Sequence, residues 1–471
     1  MNRPPERFRN WLLHGGLYTG AGVGLRGINL LLMPVATSLL SPAEYGTYDL
    51  VLVVVNWIFI LVTLEASAGF TTIYCTAEEP RRPRIAGAVA GFALFGSILA
   101  ALLLLPWSKP LAAVLLGDPG AATALALALA ALPLYALSTV AQLQLRNAIR
   151  PLPAIRSQIV SALTSTLLGL FLAWWGLGVH GMLIGAIFGW TLGTATAWRA
   201  CRDLWVPAID RVELMAVLRF SAPLTIASIG LSVSQYAERF VIAHRLDHDL
   251  VGTYGVAARI AGLVGLALIG VQASLAPLVF TQSRDPAVRS RLAGMLVVTL
   301  AGSLVLLCWL SAWAEPLVHW LAAPTYAKAI ELIPILAAAQ LATQLIPFAP
   351  GPWLARQPWR LVGVSLAAGV ASPLLALQLI PRMGVVGAAW ANLAVAGSMI
   401  VVLLLISQRS FPVPHHWSRL VLLLALALAA MLAIAHADGL VLRTLLAAGV
   451  TVVIAGLGWA QLRDLMLRGV R

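Results

Sequence analysis

Residues 41–61 read Ser41-Pro42-Ala43-Glu44-Tyr45-Gly46-Thr47-Tyr48-Asp49-Leu50-Val51-Leu52-Val53-Val54-Val55-Asn56-Trp57-Ile58-Phe59-Ile60-Leu61. The opening Ser-Pro-Ala-Glu is a capping-box pattern with proline at the first helical position, which starts a helix just after a turn. An apolar stretch then covers about 48–72, and thirteen more of its kind fill the chain. They lie near 10–33, 85–106, 121–143, 157–177, 181–199, 217–243, 251–279, 292–312, 330–350, 361–380, 384–406, 418–435 and 440–461. A membrane-spanning helix needs about 20 such residues. The expected fold class is therefore an all-α polytopic membrane protein of about fourteen helices. Composition agrees: of 471 residues, 60% are hydrophobic and 10% charged, against about 25% charged in a soluble domain. An ordinary globular enzyme is excluded.

The motif Gly46-Thr47-Tyr48 returns as Gly252-Thr253-Tyr254, an offset of 206. Trp107 with Pro110-Leu111 returns at the same offset as Trp313 with Pro316-Leu317, and Gly178-Val179 with Gly181 as Gly384-Val385 with Gly387. Stretches 1–6 superimpose on 7–12 under this shift. Six crossings return the chain to its starting side, so both copies share one orientation. They form a parallel repeat, with an axis along the membrane normal and substrate expected at the repeat interface. The domain reading is an N-lobe at 1–205, a C-lobe at 206–411 and two extra helices at 412–471.

The net charge of +13 does not point to nucleic acid. With the N-terminus inside, 23 of the 31 Lys and Arg fall in cytoplasmic segments, six in outer loops, and Arg26 and Arg259 within stretches. Basic loops stay cytoplasmic, which places both termini inside. The first stretch is too long for a cleaved signal peptide and is read as a helix. The three cysteines suggest no disulfide framework. Neither lysine stands in the Gly-Lys-Ser/Thr context of a P-loop. The longest extramembrane segment, near 200–216, is too short for a catalytic domain. Neither cofactor nor metal is expected; His244 and His248, spaced like a metal pair, straddle a helix end and an outer loop.

Charges within a bilayer are costly and rarely face lipid. Arg26 lies eight residues before Pro34, and Arg259 eight residues after Val251. Both sit roughly 12 Å below the outer boundary. Asn56 and Gln235 fall in the same layer. Two guanidinium groups facing a cavity would suit an anion, above all a diphosphate; the alternatives are structural ion pairing or snorkelling. Glu65 is deeper, roughly 25 Å from the outer end of its stretch, and reads equally as a proton-coupling carboxylate or a structural partner. Glu238-Arg239 is expected to be a local charge pair. Gly16, Gly20 and Gly24 suit close helix packing or bending. The tryptophans mark helix ends as an interfacial belt.

The run Leu39-Leu40-Ser41-Pro42-Ala43-Glu44-Tyr45-Gly46-Thr47-Tyr48 resembles the signature of bacterial polysaccharide (Wzx-type) flippases. So does the second-half series of Arg219-Phe220-Ser221, Pro223, Glu238-Arg239 and Val251-Gly252-Thr253-Tyr254. Glu238 stands where that family usually has aspartate. The superfamily also holds multidrug exporters and lipid II flippases, built as two six-helix bundles around a central cavity. The resemblance implies a transporter, not an enzyme, in the bacterial cytoplasmic membrane. Its substrate would be an undecaprenyl-diphosphate-linked oligosaccharide, moved to the outer leaflet by alternating access for O-antigen or exopolysaccharide synthesis, and passed to polysaccharide polymerase machinery. Arg26 and Arg259 are the best positional matches to that group's cavity arginines. Two lobes around one cavity would permit a working monomer.

Overall fold

A computed structural model describes residues 20, 22–25, 27–206, 210–265, 268, 271, 275, 286–354 and 358–469. Among these there is helix but no strand. Ten helical runs are long and apolar enough to cross a membrane, and a pair bent by 43°, Pro119–Ala130 with Leu132–Asn147, makes eleven. The protein is a multi-pass membrane protein. By contacts it forms two compact units, 1–255 with 365–373, and 256–364 with 374–471. The seventh stretch of the sequence packs within the first unit.

In the first unit α1 (Met33–Leu39) leads into α2 (Pro42–Thr63), α3 (Ala66–Thr76) and α4 (Arg82–Leu104). Then come α5 (Ala122–Ala130), α6 (Leu132–Asn147), α7 (Pro151–Leu172), α8 (Gly178–Cys201), α9 (Arg211–Arg245) and the start of α10 (His248–Ala261). The Ser41 capping box forms: the Ser41 amide donates to Glu44 Oε2 at 2.9 Å, and the Glu44 amide to Ser41 Oγ at 3.2 Å. Helices α7 and α8 are a hairpin turned at Gly176 (φ +93°) and Gly178 (φ +48°), a backbone that side chains disfavour. Their faces meet through small residues. A Cβ on Gly185 would lie 2.6 Å from the Ser165 carbonyl, and one on Gly193 2.7 Å from Ser161 Cβ. This is the close small-residue approach that holds helices together where burial from water contributes nothing. Among the described residues, no atom lies within 4 Å of a Cβ on Gly20, Gly22, Gly24 or Gly27. Gly16 lies outside the described residues. Phe70 and Tyr74 of α3, Ile85 and Val89 of α4, Ala136 and Val140 of α6 and Val217 of α9 form a buried cluster.

The second unit holds the rest of α10, α11 (Pro286–Ala312), α12 (Ala314–Leu321), α13 (Ala329–Gln344), most of α14 (Pro358–Met383), α15 (Val385–Ser410), α16 (Trp417–Ala435) and α17 (Leu440–Gly469). The last two, outside the repeat, pack on α11, where Trp309 Nε1 donates to Thr451 Oγ1 at 3.0 Å. The repeat is visible in the backbone. Gly384 (φ +61°, ψ −145°) turns α14 into α15 much as Gly178 (φ +48°, ψ −128°) opens α8. Trp313 (φ −103°, ψ 11°) starts α12 with almost the dihedrals of Trp107 (φ −97°, ψ 8°) in the first copy.

Candidate functional site

The two Gly-Thr-Tyr copies do more than mark a repeat: they touch. Gly46 on α2 lies against the first turns of α10, where a Cβ would be 2.5 Å from the His248 carbonyl and 2.9 Å from the Gly252 amide. A Cβ on Gly252 would in turn overlap the Pro42 carbonyl. Only glycine at both positions lets the backbones meet. Nearby, Glu44 Oε1 lies against Gly178, and His244 Nε2 lies 2.9 Å from the Val114 carbonyl. Its Nδ1 lies 2.8 Å from the Phe240 carbonyl.

One turn further from Ser41 is a buried charge cluster. Arg239 Nη1 of α9 pairs with Asp49 Oδ2 of α2, each side chain 10% exposed. The guanidinium also lies 4.9 Å from the Tyr236 ring centre and 5.9 Å from that of Tyr254. Tyr254 of α10 donates its hydroxyl to Glu238 Oε1 at 3.1 Å. Glu238 and Arg239 thus reach beyond each other, to Tyr254 and Asp49. Neighbouring residues on a helix point in different directions, so each can also meet another helix. Sequence reasoning missed Asp49 because it stands at the edge of its apolar stretch. The remaining signal was its place beside the repeated motif.

Below this cluster Trp57 of α2 stacks on Phe240 of α9 at 4.7 Å and donates Nε1 to Ser232 Oγ at 2.9 Å. These contacts bring together the helices that carry Asn56 and Gln235, both half-buried. Arg259, on α10 in the second unit, is exposed. Arg26 lies outside the described residues.

Glu65 is not inside a helix. The expected continuous stretch breaks at Leu64 (φ 49°, ψ 42°) and Glu65 (φ 48°, ψ 33°), two successive left-handed residues with side chains. Such a conformation costs roughly 1–2 kcal/mol per residue. Ser67 donates its hydroxyl to Glu65 Oε1 at 2.9 Å. Antiparallel α9 brackets the break: Ser232 meets Trp57 on one side, and on the other Ser221 Oγ accepts from the Gly69 amide at 3.1 Å. Pro223, inside α9, falls in the bracketed interval.

Comparison with known proteins adds three findings. A family model described as polysaccharide biosynthesis protein matches residues 35–331. No curated protein matches the chain. Among solved structures, lipid II flippase MurJ in an inward closed conformation superimposes with a TM-score of 0.73 at 15% identity, covering 97% of this chain and all of the other. An inward-facing multidrug resistance MATE family transporter of the MOP superfamily gives a TM-score of 0.64 at 15% identity over 82% of this chain and 93% of its own. An outward-facing one gives 0.63 at 14% over 85% and 95%. At such identities the likeness is one of fold.

Proposed function

The chain belongs to the polysaccharide biosynthesis protein family, and from that premise we propose that it is a flippase for undecaprenyl-diphosphate-linked oligosaccharide repeat units. It carries them from the inner to the outer leaflet of a bacterial cytoplasmic membrane by alternating access. The observation that carries this reading is a polysaccharide-synthesis family match on the fold of MurJ and MATE transporters. A family that builds polysaccharide needs its lipid-linked intermediate moved, and this fold is found in proteins that move molecules across membranes.

In this reading Arg26 and Arg259 neutralise the diphosphate in fork geometry, while Asn56 and Gln235 offer hydrogen bonds to the sugar end. Glu65, an intramembrane carboxylate at a helix break, is the group we assign to coupling. The arginine-rich loops stay cytoplasmic with both termini, and the polymerase that consumes the flipped unit is the expected partner. Lipid II is the alternative cargo raised by the likeness to MurJ.

An organic-cation exporter is favoured by one specific observation. The spans hold Asp49 and Glu238 as well as Glu65, more acid than the apolar stretches alone suggest. Deleting the gene and weighing undecaprenyl-diphosphate lipids by mass spectrometry separates the readings. A flippase deletion accumulates a lipid-linked oligosaccharide, relieved by the wild-type gene and not by Arg26→Ala/Arg259→Ala. Accumulated lipid II would name that cargo instead. Unchanged lipids with altered sensitivity to cationic drugs would overturn the flippase reading.

A further inference from the structure

We infer that Asp49, Arg239, Glu238 and Tyr254 form a latch that holds the Ser41 ends of α2, α9 and α10 together, and that the transport path opens toward that end only when the Asp49–Arg239 pair parts. These are positioning residues, and the inference holds whatever the cargo.

Three observations carry it. First, the pair joins α2 to α9 in surroundings where a charge needs its partner: both side chains are 10% exposed, and an ion left alone in such a place is strongly disfavoured. Tyr254, bonded to Glu238, brings α10 into the same cluster. Second, the cluster lies one turn beneath the backbone contact of Gly46 with Gly252. That contact has no side chain to yield, so the end is either shut or parted. Third, the cluster is built once. The offset of 206 pairs Arg239 with Met33, Glu238 with Leu32 and Asp49 with Gly255. The equivalent positions in the other copy of the repeat therefore carry none of these three charges. The left-handed break at Leu64–Glu65 marks where α2 from Pro42 to Thr63 stops being continuous with α3, which leaves that arm a place to turn.

The test reads accessibility rather than transport, so it stands apart from the identity of the cargo. Asn56→Cys, two turns deeper than Asp49, is introduced into full-length protein carrying Cys75→Ser, since Cys75 is the exposed native thiol. Labelling by a membrane-impermeant maleimide is followed in right-side-out and inverted vesicles. Asp49→Asn should raise labelling from the Ser41 side at least about tenfold. Exchanging the pair, Asp49→Arg with Arg239→Asp, should bring it back toward the starting rate. Tyr254→Phe, which removes only the hydroxyl, should raise it by about two- to threefold and keeps the question open to test if Asp49→Asn fails to fold. A merely structural role would lower the amount of folded protein and leave the labelling rate of what remains unchanged. Wild-type rates in folded Asp49→Asn, or in Tyr254→Phe where only that variant folds, overturn the latch.

Discussion

Gly255 packs against the carboxylate of Asp49, and it is the residue that the 206-residue offset makes equivalent to Asp49. One copy of the repeat supplies the acid and the other supplies room for it. An ideal Cβ at Gly255 would lie 3.4 Å from Asp49 Oδ2, an ordinary contact. Gly255→Ala should therefore be tolerated, with the helix gaining up to about 1 kcal/mol. Gly255→Asp, which restores the symmetry, sets two carboxylates against one guanidinium. It should destabilise by about 3–5 kcal/mol, the scale of an uncompensated buried charge. Thermal unfolding in detergent compares the two.

The contact one turn away behaves differently, because what faces Gly46 is backbone. A Cβ there meets the His248 carbonyl at 2.5 Å, and a carbonyl on the first turn of a helix has nowhere to go. Gly46→Ala should cost at least about 1–3 kcal/mol, the scale of overpacking. Gly24→Ala, with no described atom within 4 Å of the new methyl, should cost nothing. The folded fraction after gel filtration in detergent checks the contrast. Equal yields would mean that α2 and α10 do not cross here.

The sequence made the spans and the capping box legible, since each depends on residues close together in the chain, and the repeat legible through its constant offset. The rest depends on pairs far apart. Asp49 and Arg239 are 190 residues apart, and no spacing announces such a pair. The repeated Gly-Thr-Tyr was visible, but that its two copies touch was not. Glu238-Arg239 was legible as a charge pair, but its reach to α2 and α10 was not. The break at Leu64–Glu65 was hidden for another reason. No glycine or proline marks it, and the apolar run continues through Leu64. Of the site residues, Asn56 and Gln235 were placed on helices that do meet, as the Trp57–Ser232 bond shows.

At the polar end of the α7–α8 hairpin, Arg150 holds Asp203 at 3.0 and 2.6 Å and also donates to the Ala200 carbonyl at 2.6 Å, tying the start of α7 to the end of α8. The hydrogen bonds from Arg150 hold the Asp203 carboxyl below its ordinary value. A carboxylate depressed on folding contributes stability above its unfolded pKa, about 3.9, and loses it as pH falls through the lower folded value. The Asp203 and Arg150 side chains are 57% and 36% exposed, so the contribution should be at most about 1 kcal/mol. Acid unfolding below about pH 4 should thus lose a small pH-dependent component in Asp203→Asn. An unchanged acid limb would show that solvent already screens the pair.

The break in α2 gives a prediction whose sign separates two leucines three residues apart. Leu61 is a helix-interior residue, 54% exposed, and Leu64 is left-handed and 39% exposed. Replacing Leu61 by glycine in an exposed helix interior should cost about 1 kcal/mol. At Leu64 glycine removes a left-handed penalty of roughly 1–2 kcal/mol, and the entropy it adds to the unfolded chain offsets about 0.5–1 kcal/mol of that. Leu64→Gly should therefore unfold at the wild-type temperature or above it, and Leu61→Gly below it. The comparison is of melting temperatures in one detergent. If both variants lose stability equally, α2 runs straight through Leu64, and Glu65 belongs to an unbroken helix after all.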